Sequence, residues 1–391
     1  MATPRVVEFL EGLQTEYPDA QSDVSELASL YQRKLWHQIT VKIDELIRSE
    51  GPLNSGDVPL RLFNSFILDF AQKINLMKFA QFAVHATKSM SSPTDMAPFL
   101  QAAIQRLDDM KLTKAKEPML FLRMHVAQHL IELGQLAEAK ALVEAGQEEL
   151  QGVASADPAV SAAVFYVSSL YHKATADFAA FYKASLMYLS FVTSDSLPQD
   201  FKQKLAVDIS LAALLGDSIY SFGQLLQHPI CSALDASPFS WLHALLRTFN
   251  DGDIAQYDQL CLQHSVALNA QPALVANERK LREKLTVMSL LDLIWRLPAE
   301  QRVIPLSTIA ARTQLSIDGV EFLLMKALAL HLIEGSLDQV DEVVAVSWVA
   351  PRILTKQQLA DLRDRLDGWI AKVDTVAVTL QSESVGVAVQ A

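Results

Sequence analysis

The chain has few cysteines and no long apolar segment free of charge. Cys231 and Cys261 are its only cysteines and lie far apart, so no disulfide framework is predicted and a reducing compartment is favoured. The longest uncharged apolar-rich stretch, residues 159–171, contains three serines and is too short to cross a bilayer. There is no Asn-x-Ser/Thr sequon, and Glu8 and Glu11 stand where a signal peptide needs an apolar core. These absences argue against a secreted disulfide-rich protein and against a membrane protein.

Positive charge is also scarce, because 45 acidic residues face 33 basic ones and give a formal net charge of −12. Such a charge opposes broad electrostatic binding to nucleic acid or to anionic membranes. Half of the residues are apolar, which fits a chain with a large buried core, and 391 residues suggest several domains or a long repeat array. The composition favours other proteins as partners.

Motifs for chemistry are missing as well. The sequence has no Gly-rich phosphate loop, no Gly-Lys-Ser/Thr and no Gly-x-Ser-x-Gly. His125 and His129 have the spacing of a zinc-binding helix, but no glutamate stands between them, and packing is the more common role of such a pair. Cys231 has no basic surroundings that would make it a nucleophile. We therefore predict no catalytic residue, no cofactor and no metal, and leave a hydrolase with a dispersed site as an alternative.

Almost everything before residue 300 has the periodicity of helices, with only 13 glycines in the whole chain and prolines mainly between the periodic segments. One helical hairpin is clear: residues 119–133 and 136–150 flank Gly134-Gln135. Alanines in its second helix would let the two axes approach closely, as in tetratricopeptide-type repeats: Ala137, Ala139, Ala141 and Ala145. The spacing of breaks is irregular, so the pattern predicts a degenerate, right-handed helical-repeat (TPR-like) solenoid in an all-α chain.

The pattern changes after residue 300. A short extended segment, residues 303–306, precedes a helix over residues 308–312 that Ser307 is expected to cap. Ser316 is expected to cap a second helix over residues 317–329, because a serine hydroxyl can satisfy a free N–H at the start of a helix. These features predict the helix-turn-helix of a winged helix.

Two strands complete this module, near residues 331–336 and 343–349, with an acidic tip between them. Alternation places Val344, Val346 and Trp348 on one face, which we expect to be buried.

A winged helix reads DNA only where basic residues meet the phosphates and base edges. Residues 303–352 contain three basic side chains, Arg312, Lys326 and Arg352. They contain six acidic ones: Asp318, Glu321, Glu334, Asp338, Asp341 and Glu342. The resulting net charge of −3 argues against DNA reading.

The strand at residues 343–349 is instead predicted to be a terminal strand that extends the sheet of a neighbouring protein. Its candidate interface residues are Val343, Ala345 and Ser347.

The last helix carries an apolar residue at alternating spacings of three and four. The stripe consists of Leu359, Leu362, Leu366, Trp369, Val373, Val376 and Leu380. This heptad pattern places all seven on one narrow face, which requires partner helices. The alternative is that the helix folds back on its own domain.

Local phrases of the sequence are similar to the proteasome-lid members of the PCI-domain family. They lie in the same order at residues 30–40, 182–189, 211–217, 222–229, 249–253, 276–278, 320–328, 335–341 and 348–354. PCI-domain proteins supply scaffold subunits to the proteasome lid, the COP9 signalosome and a translation initiation factor. Residues 1–24 and the tail after Leu380 match nothing in this resemblance.

The resemblance implies a non-catalytic structural subunit of the 26S regulatory-particle lid, acting in ubiquitin-dependent degradation in the cytoplasm and nucleus. Its partners would be other lid subunits, joined through winged-helix edges and through a bundle of C-terminal helices, with no nucleic acid and no membrane. A scaffold of a related complex and a nucleic-acid-binding PCI module are the alternatives.

The predicted domains are N-terminal helical repeats (1–175), a PCI domain (176–350, with a helical part 176–300 and a winged helix 301–350) and a C-terminal bundle helix and tail (351–391).

Overall fold

A computed structural model describes residues 4–49, 51–54, 56–90, 92–110, 115–153, 156–235, 237–298, 301–354 and 356–388. The chain divides into two compact units, Met1–Leu197 and Pro198–Ala391. No helix in these ranges is both long and apolar enough to cross a membrane.

The first unit is built from helices. They are α1 (Pro4–Glu16), α2 (Gln21–Gln32), α3 (Trp36–Arg48), α4 (Val58–Ser65), α5 (Leu76–Thr87), α6 (Pro93–Asp109), α7 (Lys116–Glu132), α8 (Leu136–Gln151), α9 (Pro158–Ala174) and α10 (Phe178–Phe191). The apolar faces of α1 to α9, together with a 3-10 helix at Ile67–Lys73, form one hydrophobic core, in which Phe66, Phe70 and Phe79 are among the largest buried side chains. The predicted helical repeats are confirmed.

The predicted hairpin is present as α7 and α8, and Gly134 makes the turn with a positive φ of 79°. Of the four alanines expected at the contact, only Ala139 is buried. The other three are exposed: Ala137, Ala141 and Ala145. The close approach occurs instead at Gly146, where a Cβ atom would lie 2.5 Å from Cε of Met124.

Helix α10 packs on α9 within the first unit. The rings of Phe165 and Phe191 stack with centroids 5.7 Å apart, and Tyr166 lies 5.3 Å from Tyr188. The two compact units therefore divide after Leu197, whereas the sequence-based boundary at 175/176 falls between these two packed helices.

The second unit contains further helices and a small sheet. The helices are α11 (Gln199–Leu215), α12 (Gly223–Gln227), α13 (Ser232–Asp235), α14 (Ser240–Asp251), α15 (Ile254–Gln263), α16 (Ser265–Asn269), α17 (Pro272–Ala276), α18 (Glu278–Arg296), α19 (Leu306–Thr313), α20 (Ile317–Ala329) and α21 (Lys356–Ala388). The strands are β1 (Val303–Pro305), β2 (Ile333–Asp338) and β3 (Val343–Val349), in the order β1-β3-β2 and antiparallel throughout. Helices α19 and α20 with this sheet form the predicted winged helix.

The two caps predicted for the winged helix have different outcomes. The Ser316 hydroxyl accepts the N–H of Gly319 at 3.2 Å, so the cap of α20 is confirmed. The cap predicted at Ser307 is wrong, because α19 already begins at Leu306. The N–H of Leu306 donates to the carbonyl of Glu342 at 2.9 Å, so a distant turn of the chain satisfies the start of this helix.

A buried lysine joins α18 to the end of α11. Nζ of Lys284 donates to the carbonyl oxygens of Ala213, Leu214 and Gly216 at 2.7, 3.2 and 2.8 Å. These carbonyls lie at the C-terminal end of α11, where the helix dipole favours a cation. The ammonium also lies 5.2 Å from the ring centroid of Phe222. Burial nevertheless lowers the pKa of Lys284 to about 7.

Candidate protein-interaction site

Helix α21 exposes its whole apolar stripe. Relative exposures of the seven stripe residues run from 45% at Leu362 to 65% at Trp369. With a rise of about 1.5 Å per residue, the stripe from Leu359 to Leu380 extends over roughly 32 Å. Residues 358, 359 and 361–380 are all exposed, so the alternative that this helix folds back on its own unit is wrong.

Between residues 358 and 380, two further large apolar residues are exposed but were missed by the heptad pattern. Ile370 lies beside Trp369 and widens the stripe along one edge, whereas Val378 lies outside the stripe. The missed signal was the adjacent apolar pair at 369 and 370. A face this wide suits contact with more than one helix better than a two-stranded coiled coil.

The segment before α21 is held against the helical part of the second unit. Gly223 faces Ile353 so closely that a Cβ at the glycine would lie 2.9 Å from Cβ of the isoleucine. The amide of Gln227 donates to the carbonyl of Leu354 at 2.8 Å. Residues 351–354, which precede α21, are therefore packed against the helical part of the second unit.

A buried carboxylate adds to this attachment. Asp292 on α18 is 5% exposed and forms ion pairs with Arg296 at 2.8 Å, Arg312 at 3.4 Å and Arg352 at 3.8 Å. Arg352 also donates to the carbonyl of Asn250. Burial lowers the pKa of Arg352, and the Asp292 carboxylate opposes that shift. One acidic group thus connects α18, the first helix of the winged helix and the segment that leads to α21.

The basic side chains of residues 303–352 pair with acidic residues of α18. Arg312 and Arg352 pair with Asp292, and Nζ of Lys326 lies 2.7 Å from Glu283. A DNA-reading winged helix needs its basic groups directed at phosphates and base edges. All three basic side chains of residues 303–352 are engaged within the unit, which weighs against the nucleic-acid alternative.

The sheet departs from the sequence prediction in its strand order. Strand β3 is central and not terminal, because β1 pairs with its residues 343–345 and β2 pairs along its length. The prediction that the backbone at Val343 and Ala345 can extend a neighbour's sheet is therefore wrong. Both side chains are half-buried. Among the strands that the structure describes, β1 and β2 form the sheet edges.

A β-bulge explains a second departure. Glu334 pairs with Trp348 and Gly335 with Val346, so Ser347 is an extra residue between them. Its exposed hydroxyl donates to the carbonyl of Glu334 at 3.1 Å. A bulge shifts the alternation of side chains beyond it.

Val344 and Val346 are buried as predicted, but the expectation for Trp348 is wrong. That side chain is exposed, and Val349 is buried in its place. Ser347 stays a predicted interface residue through its exposed side chain alone.

The two histidines and the cysteine considered for metal binding or catalysis each contact a nearby group of the chain. His125 is half-buried, its Nδ1 lies 3.2 Å from Oε1 of Gln128, and desolvation of the ring lowers its pKa to about 4. His129 lies 3.0 Å from a carboxylate oxygen of Glu132. The Cys231 thiol donates to a backbone carbonyl at 3.0 Å, and burial raises its pKa to about 12. Within the described part of the chain, no three His, Cys, Asp or Glu residues are grouped to hold a metal ion.

Comparisons with known proteins agree with this architecture. Residues 23–246 match the family described as PSD13 N-terminal repeats, and residues 255–348 match the PCI domain. The chain is 43% identical to 26S proteasome non-ATPase regulatory subunit 13 homolog B of Arabidopsis thaliana over 97% of this chain and 98% of that protein. It is 34% identical to 26S proteasome non-ATPase regulatory subunit 13 of Dictyostelium discoideum, over 98% and 99%. It is 31% identical to the 26S proteasome regulatory subunit RPN9 of Saccharomyces cerevisiae, over 90% of each chain. The chain belongs to the family of the 26S proteasome non-ATPase regulatory subunit 13.

Proposed function

We propose that the protein is a non-catalytic structural subunit of the 26S proteasome regulatory-particle lid. The observation that carries this proposal is the exposed apolar stripe of α21, attached through a fixed segment to a winged helix. Burying one large apolar side chain contributes about 1.5–3 kcal/mol, so seven together can exceed the entropic cost of association. Near full-length similarity to proteasome subunits supports this complex over the signalosome or an initiation factor.

The mechanism is the formation of an interface. The stripe joins helices of other PCI-domain lid subunits in a bundle, and a sheet edge of the winged helix supplies a second contact. Because β3 is central, that edge is the outer side of β2 (Ile333–Asp338) and not β3. Through lid assembly the protein supports ubiquitin-dependent proteolysis. The resemblance to lid subunits supports a location in the cytoplasm and nucleus.

The test is incorporation of full-length variants into the 26S particle. Leu366→Asp or Trp369→Asp places a charge in the stripe, and we expect either change to abolish co-purification with other regulatory subunits. Ala371→Asp adds the same charge on the opposite, outer face of the helix and serves as the matched control. It should incorporate normally.

Circular dichroism of each purified variant checks that the monomer remains folded. Normal incorporation of both stripe variants would overturn the proposal. An enzymatic alternative predicts turnover of ester or peptide substrates by the isolated chain, which our proposal excludes.

A further inference from the structure

On α21, basic residues lie beside the stripe and acidic residues lie away from it. In the heptad that places Leu359 at a and Leu362 at d, the positions beside the stripe are e and g. Between residues 358 and 380 these positions are occupied by Gln358, Arg363, Arg365, Ile370, Lys372, Ala377 and Thr379. Every charged residue that borders the stripe is therefore basic.

The acidic residues of the same helix lie at positions away from the stripe. They are Asp361, Asp364, Asp367 and Asp374, at heptad positions c, f, b and b. The positive charge beside the stripe contrasts with the chain as a whole, whose formal net charge is −12. Arg363 does contact Asp364 at 2.7 Å, but both side chains are well exposed, and exposed ion pairs contribute little to stability. The flanks of the stripe thus present positive charge to any helix that packs there.

We propose that the α21 stripe selects partner helices with glutamate or aspartate at their flanking positions. The inference rests on the proposed function and specifies the chemistry of the partner. A helix packed on the stripe brings its own e and g residues against those of α21. Acidic residues there form ion pairs at the edge of the interface, whereas basic ones repel and disfavour a wrong partner.

A second copy of this chain would not place acidic residues opposite the basic residues that flank the stripe. In parallel pairing, Arg365 would face Ile370 and Lys372 would face Ala377. In antiparallel pairing, e faces e and g faces g, so no acidic residue reaches a flank either. The charge pattern favours a different helix over self-association.

The test uses two designed fluorescent peptides of about four heptads with an identical leucine stripe. One has glutamate and the other lysine at every e and g position, and binding to the full-length protein is measured by fluorescence anisotropy. We expect the glutamate peptide to bind about tenfold more tightly, since three flanking ion pairs each add a small favourable contribution. Salt should reduce this preference. The net charge of the protein alone predicts the opposite order.

A charge-reversed chain sharpens the test. Arg363→Glu, Arg365→Glu and Lys372→Glu combined should invert the order of the two peptides. The matched control, Asp361→Lys, Asp364→Lys and Asp367→Lys combined, changes as much charge on the outer positions and should leave the order unchanged. Equal affinity, a wild-type preference for lysine, no binding of either peptide, or inversion by the control variant would overturn the inference.

Incorporation into the 26S particle separates this inference from the proposed function. If Leu366→Asp incorporates normally, the proposed function fails. If Leu366→Asp is excluded while the charge-reversed chain incorporates as wild type does, only the inference on partner charge fails. Concentration-dependent self-association that Leu366→Asp abolishes and the charge-reversed chain retains would assign the stripe to a second copy, and would overturn the inference as well.

Discussion

Helices α18 and α21 are both long and both carry apolar residues at helical spacing, but their environments are opposite. The apolar face of α18 is covered by α11, α14 and the winged helix, and Leu285, Met288 and Leu291 are buried. The stripe of α21 is exposed along its entire length. The same physical signal thus builds the core in one helix and leaves a surface for association in the other. The difference lies in whether the chain itself supplies the covering elements.

The largest difference between the two helices is expected when a charge is placed in the apolar face of each. We expect Leu285→Asp on α18 to lower the free energy of unfolding by about 4 kcal/mol or more, because the charge is buried without a partner. Leu366→Asp on α21 should change it by less than about 0.5 kcal/mol. Urea unfolding followed by tryptophan fluorescence checks both variants, since four of the five tryptophans lie in the second unit. Equal destabilisation would mean that α21 packs on its own chain.

Removing a carboxylate should likewise lower the free energy of unfolding more on α18 than on α21. Asp292→Ala removes the buried partner of Arg296, Arg312 and Arg352, and we expect a loss of about 3 kcal/mol. Asp364→Ala breaks the exposed pair with Arg363 and should cost less than about 0.5 kcal/mol. The same urea titration measures both changes. A loss at position 292 no larger than that at position 364 would contradict the connecting role of Asp292.

A third comparison replaces glycine by alanine, which should destabilise the winged helix but stabilise α21. A Cβ at Gly335 would lie 2.1 Å from the carbonyl oxygen of Ala345, so Gly335→Ala should destabilise the winged helix by about 1–3 kcal/mol. A Cβ at Gly368 in α21 meets nothing within 4 Å. Gly368→Ala should raise the helicity seen by circular dichroism, since alanine favours a helix by about 0.5–1 kcal/mol over glycine.

The fourth comparison is a pH dependence confined to the buried helix. Lys284 has a pKa of about 7 in the folded protein, below the value near 10.4 of an unfolded lysine. Between these values the unfolded state binds more protons, so the free energy of unfolding should rise as the pH rises from about 7 towards 10. Lys284→Met should remove this part of the slope. Identical slopes in the wild type and in Lys284→Met would contradict the role of burial.

Several features could be read from the sequence because they depend on neighbouring residues. The Ser316 cap, the turn at Gly134 and the stripe of α21 follow from local hydrogen bonding and from helical spacing. The failures share one cause. Helix α19 starts at Leu306 because of Glu342, and Trp348 is exposed because of the bulge at Ser347. Both outcomes depend on pairing with residues distant in the sequence.

The helical character of the chain, the winged helix, the charge of that module and the heptad stripe all follow from the order of the amino acids. Helical hydrogen bonds join residues four positions apart, so a short stretch of sequence contains what they need. Three features become visible only in the folded unit: β3 is central, the basic residues of positions 303–352 pair with α18, and the stripe is uncovered. These outcomes depend on which distant elements meet, and that is set by the packing of the whole unit rather than by any local pattern.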